Sequence, residues 1–522
     1  MLTGTIPFNR YPGLAPLFHD FLRGLPEFFP DPPTMEAAAT RGKRLLGTRA
    51  RIPAEAFRTR VAEAEAMARD LAAGRAVAVV AGHQVGLFTG PLFTITKAFD
   101  AIRVARELRQ AGVPAVPVFW ALTDDHDLAE IARTARPGKE GPEVIVLEGA
   151  DRANRRPVGG IPLPHKVSEV LESFRADARA QEAGEILEAF ARRYAPGVSY
   201  GEAFIETLFD LVGNEPLLLL DPSGAPMRRP AAEFLLLAAR KEEEVRESLR
   251  ASTARLESAG KSVPVAFRPE VFPFFSVAGE ERRRIEDLAA TVEAVENGSV
   301  WPSTDVLTRP AFKSFLIPVA ASVLGASEIA YHAQALALFP VFDLAPPVLL
   351  PRSHLVLIGP PERRAAEALG IEASQLLQPV PPAPVAIPEV EALSRIATDI
   401  QARLVSLEPG LRHLDPTLAG ALETAGRKIA YQVEQLTERI RKAAERKDET
   451  AVKRRQRLET MLLPEGTPAE RLYPPLVPLL VYGRDALTAI REAARGGSAT
   501  QGVTIVHMGA DRPAEAESIH AG

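Results

Sequence analysis

The chain has 522 residues and a formal net charge of −5, with 46% hydrophobic and 25% charged residues. This length predicts two or three domains, and the composition is typical of a globular protein. The acidic balance argues against a nucleic-acid partner, because such proteins usually present a basic face. The absence of cysteine excludes disulfides, thiolate metal sites and cysteine nucleophiles. Since neither a signal-peptide pattern nor an apolar run of bilayer-spanning length is visible, we expect a cytoplasmic protein without a membrane partner.

The first 150 residues predict a helical N-terminal segment followed by the start of a parallel sheet. Residues 1–75 have helical character interrupted by prolines. From residue 76 to about 150, short apolar runs alternate with helical periodicity, in the order Ala76–Ala81, Leu92–Gln110, Ala115–Leu122 and Val144–Leu147. Such alternation favours parallel strands joined by crossover helices. We therefore assign residues 1–150 to the first part of an α/β core.

The remainder predicts two insertions into that core. Residues 151–300 are mainly helical around one apolar strand, and residues 301–385 resume the core and end in a proline-rich connector. Residues 386–463 predict an antiparallel helical hairpin or coiled coil. Its apolar positions follow steps of three and four residues at Leu418, Leu422, Ala425, Ile429, Val433, Leu436 and Ile440. Residues 464–522 then return to the core, through the apolar runs Leu476–Tyr482 and Val503–Met508.

A glycine-punctuated loop from Gly82 to Pro91 follows the first predicted strand and precedes a helix. Ligands of open α/β sheets bind where such loops leave the carboxyl ends of strands. The loop lacks the dinucleotide and Walker fingerprints. The N-terminus of a helix beside a glycine-rich loop can still bind an anion through its free backbone amides. The alternative interpretation is that the glycines only form a tight turn and bind no ligand. Lys97, about two turns into the helix, either reaches back to a phosphate or carboxylate or remains a solvated lysine.

A second polar loop, Asp124-Asp125-His126-Asp127, follows the next predicted strand. Carboxylates around an imidazole raise its pKa and orient its ring, which suits general acid–base catalysis. They also suit Mg²⁺, although no resident metal site is assigned. A third interpretation is helix capping by an aspartate ahead of Leu128. We expect one aspartate to cap and His126 to face the pocket.

Several sequence blocks together resemble one known family. The blocks are GHQVGLFTGPLFTITKAF, VPVFWALTDDHDLAEI, VLTRP, GASEIAYHAQ and LLPRS, in that order. They resemble the cysteine ligases of bacillithiol biosynthesis. The resemblance implies a Rossmann-like parallel sheet core with a mainly helical insertion and a long antiparallel coiled-coil insertion that mediates homodimerisation. It also implies the last pathway step, in which cysteine is joined to glucosaminyl-malate, or a related amino sugar, through an amide. Activation of the cysteine carboxylate by ATP is compatible with this step, and ATP or ADP would then bind together with Mg²⁺. No cofactor is firmly implied.

The resemblance also assigns site residues by position. The catalytic set is Lys97, Asp125, His126 and Asp127. The substrate-binding set is Gly82, His83, Gln84, Thr89, Gly90, Arg309, Glu328, Tyr331 and Gln334. Three departures from the family pattern bear on the identity of the acceptor. They are His83 for the usual glutamine, Ala326-Ser327 for proline and glycine, and His332 for tryptophan.

Two other classes of function stay open at this stage. A sugar- or nucleotide-binding group transferase could use the same sheet edge for a different acceptor, since a fold does not determine a reaction. A scaffold protein whose coiled coil is the working part is the third possibility. The density of polar residues on the two core loops argues against a scaffold.

Overall fold

The computed structural model describes residues 4–139, 141–147, 154–379, 387–415, 417–445, 449–496 and 499–509. Residues 380–386 of the predicted proline-rich connector, which spans 375–388, therefore lie outside the described residues. The strands are β1 (Thr5–Ile6), β2 (Phe57–Arg58), β3 (Val77–Gln84), β4 (Ala115–Leu122), β5 (Arg133–Arg136), β6 (Glu143–Val146), β7 (Leu218–Leu220), β8 (Phe272–Ala278), β9 (Glu281–Ile285), β10 (Trp301–Thr304), β11 (Val319–Leu324), β12 (Val348–Pro351), β13 (His354–Ile358) and β14 (Val503–His507).

Helices surround these strands and also form a projecting hairpin. They are α1 (Pro16–Leu22), α2 (Met35–Leu45), α3 (Ala62–Ala72), α4 (Phe93–Gln110), α5 (Leu128–Ile131), α6 (Lys166–Ser173), α7 (Ala183–Arg193), α8 (Tyr200–Val212), α9 (Ala225–Arg240), α10 (Glu242–Ser258), α11 (Leu288–Glu296), α12 (Arg309–Leu316), α13 (Ala326–Ala335), α14 (Leu338–Val341), α15 (Pro360–Ala368), α16 (Pro388–Leu414), α17 (Leu418–Glu445), α18 (Glu449–Leu462), α19 (Ala469–Leu472), α20 (Leu476–Tyr482) and α21 (Asp485–Arg495).

The central sheet has six strands in the order β12-β11-β3-β4-β7-β2. The first five strands are parallel, and the edge strand β2 pairs antiparallel with β7. Both faces of the sheet are covered, because Val77, Val79 and Ala81 pack into one apolar cluster while Ala78 and Val80 pack into another. Burial on both faces explains the continuously apolar strand sequences. The predicted Rossmann-like α/β core is confirmed.

The strand order reverses beside β3. From β3 the chain moves to β4 on one side, and it later returns to place β11 on the other side. At such a reversal the loops after neighbouring strands diverge and leave a crevice at the carboxyl edge of the sheet. The loops after β3, β4, β11 and β12 all reach this edge.

Two local expectations were wrong. The run Val144–Leu147 does not join the central sheet, since β6 forms an antiparallel hairpin with β5. The mainly helical segment 151–300 also carries β8 and β9, which build a separate antiparallel sheet with β10. The consecutive charged residues Glu281–Arg284 of β9 concealed a strand in which Arg282 and Ile285 are buried.

The C-terminal return to the core takes place in a third sheet. Strand β14 pairs in parallel with β13 and antiparallel with β1. The run Leu476–Tyr482 is the helix α20. Among the described residues, no helix is both long and apolar enough to cross a membrane.

Helices α16 and α17 form the predicted hairpin. They contact one another, and Gly426 of α17 lies against Gln401 and Leu404 of α16, as expected for antiparallel helices joined near residue 415. No residue of α16 is buried. Two helices alone therefore leave apolar side chains in contact with solvent.

Candidate functional site

A cleft of about 1250 Å³ opens at the carboxyl edge of the central sheet, beside the strand-order reversal. The end of β3, the start of α4, the loop after β4, the start of α12 and the start of α13 contribute to its walls. The predicted site residues that line it are His83, Gln84, Lys97, Asp125, His126, Asp127, Arg309, Glu328 and Tyr331. Residues far apart in the sequence thus meet because parallel strands end at one edge.

Gly82 near the end of β3, and Thr89 and Gly90 in the loop that follows, do not line the cleft. A Cβ on Gly82 would lie 2.7 Å from the Trp120 carbonyl oxygen, so strands β3 and β4 require a glycine there. Phe88, Thr89 and Gly90 have φ values of 51°, 71° and 69°. Positive φ is unfavourable for a β-branched threonine. The Tyr194 hydroxyl holds this turn by accepting a hydrogen bond from the Thr89 amide at 2.7 Å.

The start of α4 offers little to an anion. The Leu92 amide donates to the Tyr473 carbonyl, and the Thr94 and Ile95 amides donate to Pro91 and Leu92 carbonyls. The amides that would otherwise cradle a phosphate are therefore largely engaged. Side chains, and not the helix start, are the groups available to bind an anion in this cleft.

Lys97 forms a buried ion pair with Glu328. Its Nζ lies 2.6 Å from Glu328 Oε2 and donates to the Gly82 carbonyl oxygen at 3.0 Å. The Lys97 side chain is 2% exposed, so it is not a solvated lysine. Burial lowers the pKa of Lys97, and the Glu328 carboxylate opposes this. Burial acts to raise the pKa of Glu328, but Lys97 and the Gly325 amide lower it below its usual range.

His83 packs edge-on against Phe93, with ring centroids 4.9 Å apart. Burial, reinforced by the nearby Lys97 ammonium, lowers the pKa of His83 to about 3. His83 is therefore a neutral hydrogen-bonding group at physiological pH. It is not poised to exchange protons with a substrate.

Replacing His83 with glutamine should make the protein less sensitive to acid. In the wild type, the unfolded chain binds a proton near pH 6.5 and the folded chain only near pH 3, so stability is lost as pH falls through this interval. Between pH 6.5 and pH 5 this group contributes a loss of about 2 kcal/mol in the free energy of unfolding. Urea unfolding of both proteins at pH 7 and pH 5 measures the difference. Equal pH dependence in the two proteins would contradict a neutral His83 in the folded protein.

The second loop divides its roles among its acids. The exposed Asp127 caps α5 by accepting a hydrogen bond from the Glu130 amide at 3.0 Å, as expected for one aspartate. Asp125 accepts from the His126 amide at 2.7 Å and from the Gln84 side chain at 3.3 Å. Burial opposes ionisation of Asp125, but Arg309 and Arg282 lower its pKa, so it remains a carboxylate.

Arg282 of β9 contacts His126 and was not predicted as a site residue. Its Nη1 lies 2.6 Å from His126 Nδ1, and its guanidinium lies over the Phe275 ring at 3.6 Å. Burial lowers the pKa of His126, and the Arg282 charge lowers it further. The sequence signal was weak, because three consecutive arginines normally indicate a solvated strand.

Helix α12 presents two further cations to this region. Arg309 lines the cleft, and its buried Nε has no hydrogen-bond partner in the described part of the chain. One turn later, Lys313 lies 5.3 Å from the centroid of Trp120. Burial and the neighbouring Arg309 lower the pKa of Lys313 to about 7. Lys313 was also missed, although a lysine within the apolar run Ala311–Leu316 is itself a signal.

The two predicted residues of α13 beyond Glu328 differ in their placement. Tyr331 lines the cleft, and burial together with Glu328 raises its pKa, so its hydroxyl remains a donor. Gln334 is fully buried and does not line the cleft. Its amide bonds both the N–H and the carbonyl of Val265, and Val265 does line the cleft. Gln334 therefore supports the wall from behind.

Unpaired arginines surround the cleft. Five arginines that line the cleft have no carboxylate within ion-pair distance among the described residues. They are Arg133, Arg155, Arg268, Arg284 and Arg309. In contrast, Arg352 at the cleft floor is neutralised by a bidentate pair with Glu470 at 2.9 and 3.0 Å. Free guanidinium groups recognise carboxylates and phosphates. A cleft of this charge, in a chain with net charge −5, suits an anionic ligand.

The sequence matches two family models over most of its length. Residues 51–353 match the model described as Bacillithiol biosynthesis BshC, N-terminal Rossmann-like domain. Residues 386–504 match Bacillithiol biosynthesis BshC, C-terminal coiled-coil domain. These matches confirm the resemblance given by the sequence blocks.

Curated relatives carry the name "Putative cysteine ligase BshC". The protein of Solibacter usitatus is 28% identical over 455 residues, which cover 82% of this chain and 84% of the relative. That of Chlorobaculum tepidum is 26% identical over 475 residues, covering 83% of each chain. That of Heliobacterium modesticaldum is 31% identical over 310 residues, covering 56% of this chain and 57% of the relative. By its sequence blocks, its two domains and these relatives, the chain belongs to the BshC family of bacillithiol biosynthesis.

Proposed function

We propose that this protein is a ligase that joins the carboxyl group of cysteine to the amine of glucosaminyl-malate, forming the amide of bacillithiol. The observation that carries the proposal is the cleft itself. It brings His126, Glu328 and Arg309, which lie in three of the family's sequence blocks, to one cavity lined by unpaired arginines. Its volume of about 1250 Å³ has room for both substrates together.

The charges of the cleft suit the two substrates in different places. Malate carries two carboxylates, and the exposed Arg155, Arg268 and Arg284 can form the bidentate contacts that such groups prefer. The ammonium group of cysteine needs an anion, which Asp125 supplies because Arg309 and Arg282 keep its pKa low despite burial. The cationic arginines and the anionic Asp125 therefore offer separate binding positions for the carboxylates of malate and for the ammonium group of cysteine.

Amide formation from a free carboxylate also requires activation, which ATP with Mg²⁺ would supply as an adenylate or acyl phosphate. Within the described residues, no group of three His, Asp or Glu side chains is arranged to hold a metal ion. Mg²⁺ usually binds one or two carboxylates together with substrate phosphates. An ion brought by the nucleotide would need only one or two carboxylates of the protein, and Asp127 and Glu130 at the exposed end of the cleft would supply them.

A mass-spectrometric assay of the purified protein with cysteine and glucosaminyl-malate, with and without Mg-ATP, tests the proposal. A thiol product with the mass of the condensed substrates establishes the ligase, and its dependence on ATP establishes the mode of activation. The absence of product in both conditions would contradict it. A thermal-shift panel of nucleotides, sugars and amino acids would then identify the ligand of a transferase, since a ligand of the native state raises stability.

We also propose that the hairpin of α16 and α17 joins two copies of the chain. Ile396, Leu407 and Leu414 of α16 are 52%, 55% and 78% exposed. Leu407 and Leu414 lie about three and about five helical turns after Ile396, so all three side chains are on one face of the helix. An exposed apolar stripe of this kind is typical of a helix that packs against a partner.

The double substitution Leu407→Glu/Leu414→Glu should convert the dimer into a monomer, because it buries charge in the proposed interface. Sedimentation velocity measures the change. Val405→Glu is a matched control, since Val405 is 59% exposed but lies on the opposite face of α16. Substitutions disturb the fold less than removal of the whole segment 386–463 would, because α18 packs into the core through Leu458 and Leu462. A dimer that survives the double substitution would contradict this interface.

A further inference from the structure

The interaction between Arg282 and His126 determines which ring nitrogen of the histidine carries the proton. A guanidinium has N–H donors and no acceptor, and it stays protonated under physiological conditions. Its Nη1 lies 2.6 Å from His126 Nδ1, so Nδ1 must accept the hydrogen bond. The proton of the neutral ring is then on Nε2.

Arg282 cannot turn away from this contact without breaking several others. Its Nε donates to Ser303 Oγ at 3.1 Å, and its Nη2 donates to the Thr304 carbonyl at 3.0 Å. The Ser303 hydroxyl donates in turn to Asp124 Oδ2 at 2.6 Å. With the Phe275 ring against its other side, the side chain is 2% exposed. Strands β8, β9 and β10 therefore hold the guanidinium in one orientation.

The carboxylates near His126 do not reverse this assignment. Asp125 Oδ1 is 3.6 Å from Nδ1, which is too far for a hydrogen bond, and it is occupied by the His126 amide. The other charged groups that face the ring are Asp127 on the same loop and Arg155, with Arg282 itself. The acid–histidine arrangement expected from the sequence is thus replaced by a cation–histidine arrangement, which leaves Nδ1 without a proton.

We propose that Arg282 is a positioning residue that locks His126 in its Nε2-protonated tautomer, so that His126 acts as a hydrogen-bond donor in the cleft and not as the catalytic base. The catalytic part of this inference rests on the proposed ligase function. When the acceptor amine forms its C–N bond to the activated carboxyl carbon, the carbonyl oxygen gains negative charge. The C–O bond to the leaving group then breaks with its electron pair. Nε2–H can stabilise the oxyanion, while the amine proton passes to the departing phosphate oxygen or to water and not to His126.

Magic-angle-spinning NMR of sedimented, ¹⁵N-histidine-labelled protein tests the tautomer directly. The chain has nine histidines, and the His126→Gln spectrum identifies the signals of His126 by their disappearance. We expect a neutral ring with protonated Nε2 throughout pH 6–8 in the wild type. A ring protonated on Nδ1, or one that titrates to imidazolium in this range, would overturn the proposal.

Variants of β9 extend the test. Arg282→Met should give a mixture of tautomers, whereas Arg282→Lys should keep Nε2 protonated because an ammonium can still donate to Nδ1. Arg283→Met is the matched control, since Arg283 pairs with Glu281 and is 70% exposed on the same strand. An unchanged tautomer in Arg282→Met would overturn the positioning role. If Arg282→Met does not fold, the wild-type spectrum still decides the tautomer. Because the spectra need no turnover, failure of the ligase assay and failure of this inference are separable.

Discussion

The substitution Glu328→Gln should lower the free energy of unfolding by about 3 kcal/mol at neutral pH, because it leaves the Lys97 ammonium buried without a counter-charge. Glutamine keeps an acceptor for the Gly325 amide, which donates to Glu328 Oε2 at 2.7 Å, so the start of α13 should remain intact. We expect a value at the lower end of the usual range because the Glu328 side chain is 28% exposed. Urea unfolding at pH 7 measures the loss.

The pH dependence of this variant has a defined sign. The pKa of Lys97 is already below its unfolded value through burial, and loss of the Glu328 charge lowers it further. Between the two pKa values the unfolded chain binds more protons, so stability rises with pH. The variant should therefore recover part of its deficit between pH 7 and pH 10. A deficit that stays constant over this range would contradict a charged, buried Lys97.

Two controls separate charge from packing. The double variant Lys97→Met/Glu328→Gln removes both charges and should be more stable than Glu328→Gln alone. Glu233→Gln breaks the pair with Arg229, whose side chain is 91% exposed, and should cost less than about 1 kcal/mol. A similar loss in Glu233→Gln and Glu328→Gln would mean that burial does not distinguish the two pairs.

The largest expected effect on activity is that of His126→Ala. Loss of one hydrogen-bond donor to a developing oxyanion typically reduces turnover by about 100-fold to 1000-fold. The fold should persist, because Arg282 keeps its bonds to Ser303 and Thr304 and lies 3.5 Å from Asp125. Thiol product from cysteine and glucosaminyl-malate, quantified by mass spectrometry, measures turnover. Full turnover in His126→Ala would exclude a catalytic role for this residue.

The amide variants of His126 distinguish a donor from a base. Glutamine places an N–H donor close to the position of Nε2, whereas asparagine reaches only the position of Nδ1. If His126 donates, His126→Gln should retain more activity than His126→Asn or His126→Ala. If His126 instead accepts the amine proton, all three variants should be equally inactive, since an amide is not a base.

The local pattern of apolar and polar residues was sufficient to predict the central sheet and the position of the site. Apolar runs of strand length around Val79 and Val118, separated by the helical period of Leu92–Gln110, correctly predicted neighbouring parallel strands. The carboxyl ends of those strands carry His83, Gln84, Asp125 and His126, and these residues do meet in the cleft. Period and strand direction depend on residues close in sequence, so they can be read from the sequence.

The same local pattern could not predict the role of a residue whose contacts are made by residues distant in the sequence. Lys97 is a buried ion pair because Glu328, which lies after a strand on the other side of β3, faces it. Gln334 and Thr89 point away from the cleft, since their bonding groups serve Val265, Tyr194 and the loop backbone. The same residue types at the same spacing would have suited ligand contacts equally well.

The family, the α/β core, the projecting hairpin and the edge of the sheet at which the site lies can all be derived from the order of residues, because each follows from local periodicity or from motifs in chain order. The protonation of that site depends on contacts that form only in the folded protein. Folding placed Arg282 against His126 across a long separation in sequence, kept the partly buried His83 neutral, and left the arginines of the cleft without carboxylate partners. Hydrogen-bond direction and burial are properties of spatial neighbours, and the order of residues along the chain does not specify them.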